Sequence, residues 1–180
     1  MPRRSILSAA ERQGLLALPD DPNDLIRHYT FSEPDLSVIR QHRGAANRLG
    51  FAVHLCYMRY PGVILGAGER PFASLLSLVA TQLGVPPESW AAYGQRDQTR
   101  REHLVELKAV FAFQSFTMRH QRLAVRDLDD LAWQTDKGVL LAGTLVKNLR
   151  RQSILLPPID VIERSAPRRS RTLHAVSMPH

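Results

Sequence analysis

The residue whose type and spacing could do chemistry in this chain is arginine. Of its 24 cations, 21 are arginine and three are lysine, Lys108, Lys137 and Lys147. A guanidinium is a planar fork of donors that meets phosphate oxygens or a guanine edge with paired hydrogen bonds. Three stretches that read as helix starts carry arginine in or beside the first turn: Asn47 and Arg48 after Gly44, Arg100 and Arg101 after Thr99, and Arg119 after Thr117. A cation at the positive end of the helix dipole costs roughly 0.3–1 kcal/mol where an acid would gain it, so local stability does not account for the placement. An anion docked on the free amides would. A recognition helix also presents its N-terminal residues to base edges, where Asn pairs with adenine and Arg with guanine, the pairings expected of Asn47 and Arg48. The competing account has these arginines paired with nearby acids such as Asp97 and Glu102 on a solvated face.

Other chemistry finds little support. The seven histidines, 28, 42, 54, 103, 120, 174 and 180, form no HxxxH or HExxH pair, and His54 lies two positions from Cys56, on another side of a helix. The single cysteine excludes a disulfide framework and any zinc site built on paired thiols. Gly66-Ala67-Gly68 lacks the glycine, lysine and hydroxyl residue that would complete a phosphate-binding loop. Asp127, Asp129 and Asp130 share one segment, whereas a two-metal site needs carboxylates from separated ones. No metal or cofactor is expected. Trp90, Tyr93 and Trp133 could stack on single-stranded bases, though helix aromatics are mostly core.

At 180 residues and 44% hydrophobic, the chain can bury a core without staples; it folds as one domain or as two small modules. The net charge of +7 attracts polyanions, nucleic acid first and an anionic membrane surface as competitor. Nine cations and eight acids lie in residues 1–93, twelve and nine in 94–164, and three cations with no acid in 165–180, so the excess belongs to the second half and the tail. Codon usage in a GC-rich genome would also favour arginine over lysine. No apolar run approaches the roughly 18 residues of a membrane span, and the N-terminus leads into a polar helix rather than a secretion signal, so a cytoplasmic protein is expected.

The elements that must position these residues are helices separated by Pro, Gly and Asp, and no strict alternation marks a strand. Ser8 and Glu11 have capping-box spacing, predicting a helix from Ala9 to about Leu18. Asp21-Pro22 opens one to Tyr29, and Ser32 one that ends at Arg43-Gly44, giving a helix-turn-helix-like element with the next. That next helix, Ala45 to about Arg59, is apolar on both sides and should be the buried hub of the first half. Further helices are expected from about Pro71 to Leu83, around Ser89 to Tyr93, after Thr99 with Glu102 completing a second capping box, after Thr117, and after Asp136 to about Arg151. A short one follows Pro157-Pro158 to near Arg164, with disorder from Ser165 onward. An all-α multi-helix bundle of two modules, 1–93 and 94–164, with a basic tail over 165–180, is the expected architecture.

These residues also resemble a known family. Leu25-Ile26-Arg27-His28-Tyr29-Thr30-Phe31, Arg43-Gly44, Asn47 through Cys56, and Arg59-Tyr60-Pro61-Gly62-Val63 resemble the N-terminal, DUF4158-type region of Tn3-family transposases. The likeness continues through Tyr93-Gly94, Thr99 through Leu104, Phe113-Gln114, Phe116-Thr117 and Thr135-Asp136-Lys137-Gly138, covering about residues 1–164. It implies a helical region that recognises the terminal inverted repeats of a transposon. Strand cleavage and transfer by an acidic triad with divalent metal, in an RNase-H-like domain, is implied to lie far downstream in such proteins. Where the family continues after Ile162-Glu163-Arg164, this chain runs into Ser165-Ala166-Pro167-Arg168 and stops soon after, which implies a truncated or frameshifted copy without catalytic function.

The expectation is therefore a double-stranded DNA-binding chain that reads transposon ends and is not itself an enzyme. Asn47 and Arg48 would lie nearest the bases, with Arg43, Arg100, Arg101, Arg119 and Arg122 mainly on phosphates. Self-association is compatible with it. The alternative is a helical protein-interaction module whose basic face meets an acidic partner in transpososome assembly or another complex. A stand-alone metal-dependent nuclease ranks third.

Overall fold

The computed structural model describes residues 5–93 and 97–166. These residues form ten α-helices: α1 (Ala9–Leu16), α2 (Pro22–Tyr29), α3 (Glu33–Arg40), α4 (Ala45–Arg59), α5 (Ala73–Leu83), α6 (Trp90–Tyr93), α7 (Asp97–Val110), α8 (Met118–Gln134), α9 (Gly138–Arg151) and α10 (Ile159–Ser165). A 3-10 turn over Pro87–Ser89 leads into α6. Among the described residues there is no strand, only an isolated parallel bridge between Gln114 and Ile154, and the fold is all-α.

Local chemistry sets most of the boundaries. Ser8 and Glu11 complete their capping box at α1, and Asp21 caps α2 by accepting from the Asn23 and Asp24 amides. Ser32 caps α3 with Asp35 reaching back. Gly44, at φ +82°, turns the chain between α3 and α4 in a conformation that an L side chain resists. Thr117 caps α8, and the His120 imidazole takes the place of the usual Glu or Gln by accepting from the Thr117 amide.

Three expected starts differ. Helix α7 begins at Asp97, so Thr99 lies inside it; Asp97 already sets an acid in the first turn, and Glu102 accepts from Gln98 instead of closing a capping box. Lys137, not Asp136, is the N-cap residue of α9, with the Lys137 amide donating to Thr135 Oγ1 at 3.2 Å. Helix α5 starts at Ala73, with Phe72 as its N-cap residue at an extended ψ of 128° and the Phe72 amide donating to the Tyr57 hydroxyl at 2.8 Å.

The expected disorder from Ser165 is also displaced. Ser165 and Ala166 are buried, the serine hydroxyl donating to the Val161 carbonyl; residues 167–180 lie outside the described residues.

Two hydrophobic clusters organise the chain. The larger surrounds α4, whose residues Leu49 through Met58 are all buried. The smaller joins Leu7 and Leu15 to α8, α9 and Ile162 of α10. Helix α7, placed by the sequence at the start of a second module, contributes Leu107 to the larger cluster, whereas α1 contributes to the smaller one. The clusters are stitched together by backbone: the Gln114 amide donates to the Ser153 carbonyl at 2.9 Å, the Leu155 amide to the Gln114 carbonyl at 2.8 Å, and the Leu156 amide to the Gly62 carbonyl at 2.8 Å. Arg150 completes the seam, donating to the carbonyls of Pro61 at 2.6 Å and Leu15 at 2.9 Å, with its guanidinium over the Tyr60 ring. Its place at the end of α9 is structural.

Candidate nucleic-acid interface

The α3–turn–α4 element presents Arg43, Asn47 and Arg48. Its geometry is held from both ends by arginine. At the near end, Arg48 reaches back from the first turn of α4 and donates to the carbonyls of His42 (Nε, 2.8 Å) and Arg40 (Nη2, 3.4 Å), capping the C-terminus of α3. At the far end, Arg59 forms a two-pronged pair with Asp35 at 2.8 Å on each prong and lies over the Phe111 ring. The Arg59 hydrogen bonds hold the Asp35 carboxyl below the usual carboxylate range, against the opposing effect of burial.

Enclosure of α4 limits what it can do. A helix laid in the major groove must expose a face along several turns, and α4 is buried from Leu49 to Met58. Outside that stretch its half-buried first turn, with Asn47 and Arg48, and the half-buried Arg59 at its end reach solvent, beside the exposed Arg43 in the preceding turn. Arg43 has no ion-pair partner among the described residues.

Arg100 and Arg101 diverge. Arg100 folds inward, 19% exposed, and donates to the Leu65 carbonyl at 2.7 Å with Asp97 3.9 Å away. Arg101 stands in solvent, paired with Asp97 at 2.6 Å. The sequence rightly named Asp97 as a competing partner, whereas Glu102 takes neither arginine.

Arg119 and Arg122 are exposed on α8 and make no ion pair among the described residues. The first turn of α8 holds no acid. Arg126, which the sequence reading did not select, continues the row; positions 119, 122 and 126 fall on one helical face, and its contact to Asp127 is a solvent-exposed 3.6 Å pair. That i, i+3, i+7 spacing is the signal that could have found it. Of the seven predicted residues, six lie on three helices and Arg43 in the turn before α4: Arg48 and Arg100 are engaged with backbone carbonyls, Arg101 with an acid, Asn47 is half-buried in the first turn of α4, and Arg43, Arg119 and Arg122 are exposed without an ion pair among the described residues.

Asp127, Asp129 and Asp130 are exposed on α8, and among the described residues no three His, Cys, Asp or Glu side chains converge so as to hold a metal ion. No described helix is long and apolar enough to cross a membrane.

Comparison with known proteins matches residues 6–168 to the family described as "Domain of unknown function (DUF4158)". The chain is 68% identical over 166 residues to the transposase for transposon Tn3926 and 64% identical to that for transposon Tn21, both from Escherichia coli. It is 52% identical over 165 residues to the transposase for transposon Tn501 of Pseudomonas aeruginosa. Each match takes in 92% of this chain and 17% of the relative's length. The chain belongs to the DUF4158 family, as found in the transposases of Tn3-family transposons.

Proposed function

We propose that this chain binds double-stranded DNA and contributes to recognition of transposon terminal inverted repeats. The observation that carries the proposal is the start of α8, where Arg119 and Arg122 stand exposed, without ion-pair partners among the described residues and without a first-turn acid, in a chain akin to transposases. The positive end of the helix dipole at that turn adds to the attraction for a phosphate. Arg43 and Arg101 extend the phosphate contacts, and Asn47 and Arg48 reach bases only through the tip of α4. Strand cleavage and joining is, in this reading, work for the remaining length of such proteins, and this chain acts on DNA in the bacterial cytoplasm by binding alone.

A gel shift against a terminal inverted repeat and a scrambled duplex of equal length, at two salt concentrations, tests this. Tighter binding to the repeat, and a salt slope that falls by about two when Arg119 and Arg122 are both changed to alanine, are expected. Equal affinity for both duplexes would end the claim of specific reading.

A second reading is favoured by apolar exposure on α8 and α9, Met118 at 65% and Leu140 at 52%. It makes the chain a protein-interaction module in transpososome assembly. Charge-neutralising variants that abolish DNA binding but leave partner capture intact would select it.

A further inference from the structure

A cavity of about 710 Å³ opens between α4, the 66–71 loop and α6, away from the arginine row of α8. Its size falls within the range of small-ligand sites. Two aromatic rings, Trp90 and Tyr93, form one wall, with ring centroids 5.4 Å apart and an interplanar angle of 41°. His54 lies at the back, 1% exposed, its ring 6.3 Å from Trp90 and 5.8 Å from Tyr93. Among the described residues neither of its ring nitrogens has a hydrogen-bond partner, and neither does Nε of Arg100, which lines the same cavity. Three buried polar atoms without partners behind one cavity wall are costly, about 1–3 kcal/mol each, and a complementary ligand would recover part of that.

The chemistry narrows the ligand. Burial, and then the nearby charges of Arg100 and His103, hold the His54 pKa at about 4, so the imidazole is neutral and offers one donor and one acceptor. Two arginines, Arg70 and Arg100, face three carboxylates, Glu69, Glu88 and Asp97, around the cavity. That balance disfavours an anion inside it and suits a neutral flat ring with polar edges.

We propose that this cavity binds a nucleobase, stacked on Trp90 with its polar edge toward His54 and Arg100. Tyr93, 3% exposed and stacked on His103, backs the wall without offering a free face. The unpartnered nitrogens are buried behind the lining, so the base meets them by a rotation of the Arg100 side chain, which is tethered by one 2.7 Å bond and one 3.9 Å pair. Base stacking on aromatics contributes about 1–3 kcal/mol. The base arrives on a free nucleoside or on an unpaired nucleotide of DNA; the second source rests on the DNA-binding reading above, the first does not.

The test follows Trp90 fluorescence in the full chain carrying Trp133→Phe, titrated with deoxyadenosine and deoxycytidine, with a single-stranded oligonucleotide, and with a fully paired duplex. Saturable quenching by a nucleoside below about 10 mM, weakened at least tenfold by the exposed, pocket-filling Ala67→Leu change, is expected. Quenching by the single strand but not by the duplex identifies unpaired DNA as the source, and quenching by nucleoside alone identifies the free nucleoside. No saturable quenching by any of them, or quenching that Ala67→Leu leaves unchanged, overturns the proposal. Gel shifts run in parallel separate the two claims: duplex binding without nucleobase binding removes this site and leaves the DNA-binding reading standing, and the converse does the reverse.

Discussion

Arg48 Nε donates to the His42 carbonyl at 2.8 Å, tying the first turn of α4 to the end of α3. A side chain read from its neighbours as a base contact is thereby also a helix clamp. Changing Arg48 to alanine removes two bonds to backbone carbonyls, and a loss of about 1–2 kcal/mol in urea unfolding is expected. Arg119→Ala, on an exposed position with no ion-pair partner among the described residues, should stay within about 0.5 kcal/mol of the parent. Equal stability of the two variants would show that the clamp contributes nothing.

Asp35 and Arg59 join α3 to the far end of α4. Asp35→Asn should cost about 1–3 kcal/mol, discounted from a fully buried pair because the Arg59 side chain is 35% exposed. The folded carboxyl is held below its ordinary pKa, chiefly by the Arg59 hydrogen bonds. Its contribution is therefore present above the unfolded value near 3.9 and is lost as pH falls through the lower folded value. Urea midpoints of parent and variant should converge as pH drops below about 4; a constant gap would remove the pair from acid stability.

His54 and His103 are both pushed to about 4, in each case first by burial; Arg100 and His103 add to it for His54, and His42 for His103, opposed there by Glu102. As pH falls below 6.5 the unfolded chain takes up protons at these positions and the folded chain does not. Stability should therefore fall with pH between about 6.5 and 4, by up to about 1.4 kcal/mol per pH unit for each histidine. His54→Leu should roughly halve that slope in urea titrations between neutral pH and about pH 5. A slope unchanged by the substitution would show that His54 is protonated in the folded chain.

A methyl group added at Gly50 would overlap the Tyr93 ring, which lies directly across the α4 backbone. Gly50→Ala should destabilise by about 1–3 kcal/mol, although alanine is the better helix former. It should also shift Tyr93 in the wall of the cavity in front of His54. A melting temperature at or above the parent's would mean that the ring moves aside without cost.

The helical nature of the chain, the start of α2 at Asp21-Pro22, the span of α4 and the burial of α4 were all legible in the amino-acid order. Caps and turns are interactions between residues three or four apart, and a helix apolar on every side has nowhere to lie but inside. Three-residue spacing misled at Thr99, since the acid that marks the start of α7 is Asp97. It was also silent on the role of each arginine. Whether a guanidinium meets a phosphate, a carbonyl or a carboxylate depends on what lies within about 3 Å of its fork, and for Arg100 that partner is Leu65, 35 positions away. Arg150 meets Leu15 across 135 positions. The cavity behind His54, Trp90 and Arg100 belongs to the same class of fact. Helix content and charge were determined by the sequence alone; the sorting of its arginines into structural clamps and open cations was decided only by the packing of distant segments, because hydrogen bonds are short and the chain path between partners is long.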